Sequence, residues 1–402
     1  MSFTLDLFAS QSDAASREGE GASRVSRLAF VAEGAEGLAR LEPVWRRLSE
    51  SARDQSVFQT YGFARSAARY HEERGERVLV AVAEWEGRPA CILPVAVRRR
   101  GGVRVGSFLG DPIAQYGDAL MAAGAPARTA ELALKRLANG GAVDLFEFRR
   151  VRDDAALGPA LKSFALEVGL AVEAPHADLA CETGAETFLL RVAGAKQKRE
   201  RARSRRRLAE RGELRFEALR GPDAIDALRH AFALKRGWLV AQGEASAVLD
   251  DPRALAALER LALDPQDGAS LVVGRLTVGG VPAAFEVGLV KGRRFHAYLG
   301  AVAEPFAAAS PGKTVMEETL AWCLGEGVDL YDLLPPADAY KRRWSNGSTK
   351  VRVYVAPVTR VGKLYAGVWL GALRPRLRAA LAAMPASLRR RVGVAALKAG
   401  AA

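Results

Sequence analysis

Cysteine is scarce in this chain: Cys91, Cys181 and Cys323 are the only three in 402 residues. They are odd in number and far apart, which excludes a disulfide framework. Cys91 and Cys323 fall in apolar patterns, so we read them as reduced core residues of a cytoplasmic protein. Histidine is equally sparse. His71, His176, His230 and His296 show no ligand spacing, and no metal site is expected. No apolar run is long enough for a signal peptide or a membrane span. Residues 1–26, rich in Ser, Ala, Gly and Glu, are predicted to be disordered.

Acids are missing from one entire region, since none follows Asp338. The lysines and arginines between Lys341 and Lys398 number fourteen, more than the whole formal net charge of +13, so the rest of the chain is nearly neutral. In 361–402 these cations alternate with Leu, Ala, Val and Trp369, as in a basic amphipathic tail. Such a tail suits an anionic membrane at its inner face, a membrane-bound synthase or a phosphate-bearing ligand. A second basic run, 196–207, has no aromatic residue and hence no stacking platform for single strands. We expect it to grip a phosphorylated substrate rather than nucleic acid.

The chain contains itself twice. Residues 78–90 and 271–283 each read as a Val/Leu-rich strand, a tight turn, a proline and a second apolar strand. Each half then has a third strand ending in Leu-Gly, at Leu109-Gly110 and Leu299-Gly300, followed by a helix. Each closes on one more strand, 141–148 against 326–333. The period is far too long for a solenoid, and the length suits two domains. The element order predicts α/β domains with a mixed sheet, over 27–180 and 181–360. Leu38, Leu41, Trp45 and Leu48 follow helical spacing and are expected in the first core.

The chemistry concentrates near the end of the second repeat. Ser310 is placed to cap a helix, Pro311 suits its first position, and Gly312 lets a ligand approach the backbone. Lys313 adds positive charge where free N–H groups already favour anions, and Thr314 follows it. These residues fit a pyrophosphate cradle, and equally an ordinary capped helix. A Walker A loop is excluded because Ala307 stands where its first glycine must be.

Taken together, the duplication, the Ser-Pro-Gly helix start and the Asp-Leu-Tyr-Asp-Leu-Leu and Tyr-Lys-Arg-Arg-Trp segments (329–334 and 340–344) resemble the GNAT acyltransferase superfamily. Within it, the chain resembles the tandem members, namely CelD-type cellulose-biosynthesis proteins and FemAB-like proteins. The resemblance spans 28–355 and includes the basic stretch 199–212, Trp238, the turn at 279–284, and the segments 57–60 and 92–95. The usual Arg/Gln-x-x-Gly-x-Gly/Ala loop is replaced by 305–313. The resemblance implies two tandem GNAT-like domains. The second would transfer an acyl group from acyl-CoA, acetyl-CoA first among donors, to an amine on an exopolysaccharide or envelope precursor. No metal is implied.

The same resemblance implies roles. Glu304 or Asp332 would accept the amine proton, and Tyr340 would protonate the thiolate or orient the acceptor. Ser310, Gly312, Lys313 and Thr314 would hold the donor's pyrophosphate, and a backbone N–H near the end of 293–300 the oxyanion. Lys341, Arg342 and Trp344, with Arg199, Arg203 and Trp238, would contact the acceptor. The first domain, without the Ser-Pro-Gly feature, would be catalytically silent and supply Gln115, Tyr116 and Asp118 to a sugar. Two alternatives stay open: transfer from aminoacyl-tRNA, and a non-catalytic accessory protein.

Overall fold

The computed structural model describes residues 29–52, 55–265, 267–368 and 376. The segment 1–26, expected to be disordered, and most of the basic tail lie outside the described residues. The first half runs β1 (Ala29–Glu33), α1 (Gly34–Arg40), α2 (Glu42–Ser51), a 3-10 turn (Val57–Gln59), α3 (Tyr61–Glu72), β2 (Arg77–Trp85), β3 (Arg88–Arg100) and β4 (Val103–Phe108). It continues through β5 (Leu120–Met121), α4 (Ala127–Asn139), β6 (Leu145–Arg152), α5 (Gly158–Phe164), β7 (Leu166–Glu167) and β8 (Val172–Asp178). The second half runs α6 (Ala185–Ala209), β9 (Leu214–Arg220), α7 (Asp223–Gln242), α8 (Pro252–Leu263), β10 (Ala269–Val278), β11 (Val281–Lys291) and β12 (Arg294–Val302). A 3-10 segment (Glu304–Ala309), α9 (Pro311–Gly325), β13 (Leu330–Asp332), α10 (Ala339–Arg342), β14 (Gly347–Pro357) and α11 (Arg360–Tyr365) complete it.

The duplication is visible in backbone detail. The β2–β3 and β10–β11 hairpins turn on Glu86-Gly87 and Gly279-Gly280, and all four residues have positive φ. That geometry matches the right-handed twist of the strands it joins. The α1–α2 region buries Leu38, Leu41, Trp45 and Leu48, as their spacing predicts.

All of these strands join one mixed sheet of an α/β fold, twelve in the order β1-β2-β3-β4-β6-β14-β8-β13-β12-β11-β10-β9, with β5 pairing β3 and β7 pairing β14 off that path. Each half has one parallel contact, β4 with β6 and β12 with β13. The closing strands are exchanged: β14 pairs with β6 of the first half, and β8 pairs with β13 of the second. The sheet is continuous because β8 and β14 also pair with each other. A division of the chain at 180/181 therefore leaves each half's closing strand in the other half's sheet.

One face of the sheet carries α1, α2, α3, α7 and α8 over a single core that spans both halves, from Trp45 and Tyr61 to Phe285 and Leu258. The α3–α8 contact is pinned by the Ser66 hydroxyl, which donates to the Ala257 carbonyl at 2.6 Å, and by Arg74 to Asp251 at 2.5 Å. On the other face, α4 and α5 cover the first half, and α6 and α9 cover the second. Helix α6 is broken at Gly194, whose φ of 75° and ψ of 173° leave the helical region. Among the described residues, no helix is long and apolar enough to cross a membrane.

Candidate active site

Strands β12 and β13 pair only from Arg294/Leu330 to His296/Asp332 and then part. Strand β13 stays with β8 on its other side, its next residue Leu333 donating to the Pro175 carbonyl of β8 at 3.0 Å. Strand β12 runs on to Val302, paired on the β11 side alone. The parting exposes a strand edge with free backbone donors and acceptors, to which an extended ligand can add. A bulge falls in that stretch, between the pairs Val287/Leu299 and Gly288/Ala297, and puts Tyr298 outside the register. Bulges withdraw a residue from the ladder. The expected oxyanion donor lies in this segment.

The open edge leads into α9. The side chain of Val302 stands 3.3 Å from where a Cβ on Gly312 would sit, so the first turn of the helix flanks the end of the edge. Gly312 and Lys313 are half-buried and Ser310 is exposed. Two expectations need correction here. Ser310 precedes the helix but does not cap it: entering from a 3-10 segment, it takes φ 54° and ψ 51°, and its side chain makes no capping bond. Thr314 is buried rather than turned to the mouth. Helix α6 braces this loop, as the Ser204 hydroxyl donates to the carbonyls of Ala309 and Ser310 and Glu200 lies 3.6 Å from Lys313.

The expected carboxylates sit in unlike places. Glu304 is exposed at the start of the 3-10 segment, with no hydrogen bond or ion pair among the described residues. Asp332 is buried, and its partners are not the nearby cations of its own segment. The Tyr116 hydroxyl donates to both its oxygens at 2.8 and 3.0 Å, the Leu334 N–H donates at 2.9 Å and Arg152 approaches at 3.4 Å. A carboxylate so fully occupied holds the two halves together. Tyr116 is itself buried under Arg152, 5.0 Å from the ring, so its hydroxyl serves Asp332 rather than a sugar.

Sequence reasoning missed Glu286, although a lone acid in the apolar strand Val281–Lys291 was a readable signal. It is buried beneath α9, and the Tyr331 hydroxyl donates to its Oε1. Oε2 has no hydrogen-bond partner among the described residues. Burial pushes its carboxyl up to about 7, against the lowering effect of Tyr331 and Thr319. Half-exposed Tyr340 feels it: burial and then the Glu286 charge raise that phenol to about 12.

The remaining expected residues scatter around the opening. Trp344 is buried with the Arg201 guanidinium 5.9 Å from its ring, and Arg201 reaches Glu317 of α9. Lys341 donates to the Leu334 carbonyl at 2.9 Å, and burial lowers its ammonium pKa. Arg342 pairs with Glu173. Trp238 is 52% exposed on α7, stacked with Lys235 at 4.2 Å. Arg199 and Arg203 are exposed on α6. In the first half, Gln115 turns back on the Ile113 carbonyl. Asp118 accepts from the N–H groups of Ala119, Ala156 and Leu157, while burial raises it to about 6. It also borders a small cavity of about 30 Å³ with Gln59, Arg152, Asp154 and Arg294, where the halves meet. No group of three His, Cys, Asp or Glu able to hold a metal occurs among the described residues.

The first half has the same parting, beyond Gly106/Phe146, but it is filled. The loop after β4 lies against β6: the Gly117 N–H donates to the Arg150 carbonyl at 3.1 Å, and Arg150 donates to the Pro112 and Ala114 carbonyls at 3.1 and 2.5 Å. Asp111 is clasped by Arg149 and Arg98. Burial would raise its carboxyl, but the two arginines outweigh this and hold it at about 2. A cavity of about 320 Å³ does lie before α4, and among the described residues Asp118 and Asp154 are its charged lining.

Comparison with known proteins agrees with this architecture. Residues 195–342 match the family model described as acetyltransferase (GNAT) domain. The solved structure of FemX is similar at a TM-score of 0.53 and 11% identity, covering 81% of this chain and 98% of that one. A conserved protein of unknown function from Bacteroides thetaiotaomicron is similar at 0.51 and 12%, covering 79% and 97%. A tandem GNAT protein from the clavulanic acid biosynthesis pathway scores 0.46 at 12%, covering 82% and 99%. At these identities the first two matches establish the fold alone. No curated protein matches the chain in sequence. Residues 195–342 are thus the part of the chain that resembles a GNAT-type acetyltransferase domain.

Proposed function

We propose that this protein moves an acyl group from acyl-CoA to an amine on a sugar-containing envelope or exopolysaccharide precursor. The observation that carries the proposal is the parting of β12 and β13, whose free strand edge leads directly to the amide end of α9. An acyl-CoA has the matching anatomy: an amide-bearing extended arm for the edge and a diphosphate for the helix terminus. The bulge at Tyr298 supplies a backbone donor for the oxyanion, and fixed donors of this kind stabilise the developing charge. The acceptor would enter from the junction of the halves, where the half-buried Arg294 offers donors to sugar hydroxyls.

Acetyl-CoA should raise the melting temperature of the full chain, and Gly312→Asp should abolish that rise while leaving the free protein's melting unchanged. Because a Cβ at 312 would meet only the Val302 side chain, at 3.3 Å, the substitution tests charge at the helix mouth more than packing. A second reading rests on the exposed arginines of α6, Arg199 and Arg203, beside that mouth. It makes the donor an aminoacyl-tRNA, in which case charged tRNA shifts the melting and acetyl-CoA does not.

A further inference from the structure

We infer that Glu286 takes up the proton released by the attacking amine. This rests on the acyl-transfer reading above and supplies the group that reading lacked, since Glu304 is solvent-exposed and Asp332 is occupied by Tyr116, Leu334 and Arg152. The neighbours of Glu286 leave one way in. Its direct partner on β10 is Gly274, where a side chain would strike Thr319 at 2.8 Å, so that side is closed. Its direct partner on β12 is Gly300, which lies on the free edge, is exposed and would meet nothing within 4 Å if it carried a Cβ. Directly opposed residues of a sheet share a face. The flank of Glu286 therefore opens into the gap where the thioester arm would lie.

The occupancy of its two oxygens agrees. Oε1 receives the Tyr331 hydroxyl, whereas Oε2 is buried without a donor among the described residues, the nearby Thr319 hydroxyl being given to the Val315 carbonyl at 2.8 Å. Leaving a buried acceptor unmade is costly unless a proton or a ligand supplies the missing bond. The groups that face it are Tyr331 of β13, Tyr340 of α10, and Thr319 and Cys323 of α9, with glycines on both flanking strands. None is a cation, so no opposite charge holds the carboxyl ionised, and the Tyr331 and Thr319 hydroxyls alone favour its charged form. In the transfer, the amine nitrogen forms its bond to the thioester carbonyl carbon and gives its proton to Oε2. The C–S electron pair leaves on sulfur, the thiolate takes a proton from solvent, and Glu286 releases its own to solvent as product departs. Amine and thioester become amide and thiol.

The test uses the full chain and its Glu286→Gln variant with acetyl-CoA as the probe. Calorimetry should show both binding acetyl-CoA within about threefold of each other. The infrared difference between the two proteins should reveal a carboxyl that deprotonates near pH 7 and changes its band when acetyl-CoA is added. Thiol release with free amino sugars should rise with pH through the same range in the unaltered chain, and fall about 100-fold or more in the variant, without that rise. Tyr331→Phe, which removes a bond to the charged form, should move the rise to higher pH. If both proteins bind acetyl-CoA but the carboxyl ignores it, the inference is wrong and the acyl-transfer reading stands; the infrared measurement needs no acceptor to decide this. If neither binds acetyl-CoA, both fall together.

Discussion

The two halves share strand order, hairpin turns and the parting of their parallel strands, yet only one of them is left open. In the first half, the loop after β4 lies in the gap, fastened by Asp111 to two arginines and by Gly117 to β6. In the second, the chain after β12 turns away through a 3-10 segment, enters α9 and leaves the strand edge bare. The helix that follows the gap differs in the same sense: the space before α4 carries carboxylates, and the first turn of α9 carries Gly312 and Lys313. Duplication thus supplied two frames, and the loop after β4 fills the gap in one, whereas the chain after β12 leaves it open in the other.

The largest way to break this comparison is Asp111→Ala. It strands Arg98 and Arg149 without their shared carboxylate in the interior, and removing one partner of a buried pair costs about 3–5 kcal/mol. Urea unfolding should show that loss, while acetyl-CoA affinity stays within about threefold if the second half works alone. Glu286→Gln comes next and sharpens the opposite half. A carboxyl held at about 7 when folded, above its ordinary value of 4.5, keeps its proton longer than the unfolded chain does. Stability therefore falls as pH rises from 4.5 towards 7, by an amount on the order of 3 kcal/mol. Urea unfolding at pH 5 and pH 8 should show the variant gaining on the unaltered chain at the higher pH. The smallest effect is Tyr298→Phe, which deletes one hydrogen bond across the halves, to the Ile113 carbonyl at 3.1 Å. It should cost about 1 kcal/mol.

Much of the frame was readable because duplication writes itself into local patterns: the two hairpins turn at matching positions, and the helical spacing of Leu38 to Leu48 marks a buried face. The exchange of β8 and β14 was not readable. Each strand has its own alternation, but nothing local says which neighbour it will choose. Asp332 shows the same limit at a site. The nearest cations along the chain are Lys341, Arg342 and Arg343, whereas its partners in space, Tyr116 and Arg152, come from 216 and 180 residues away. Ser310 failed for a different reason, because a good capping residue cannot cap when the preceding 3-10 segment delivers it in the left-handed region. Glu286 was legible in principle, as a charge in an apolar strand, and was passed over for acids nearer the recognisable motifs.

The central claim is an inequality between halves, and the stoichiometry of acetyl-CoA binding tests it most directly. Titration calorimetry on the full chain should give one site per molecule, lost in Gly312→Asp and retained in Asp111→Ala. Two sites, or a single site that survives Gly312→Asp, would contradict it.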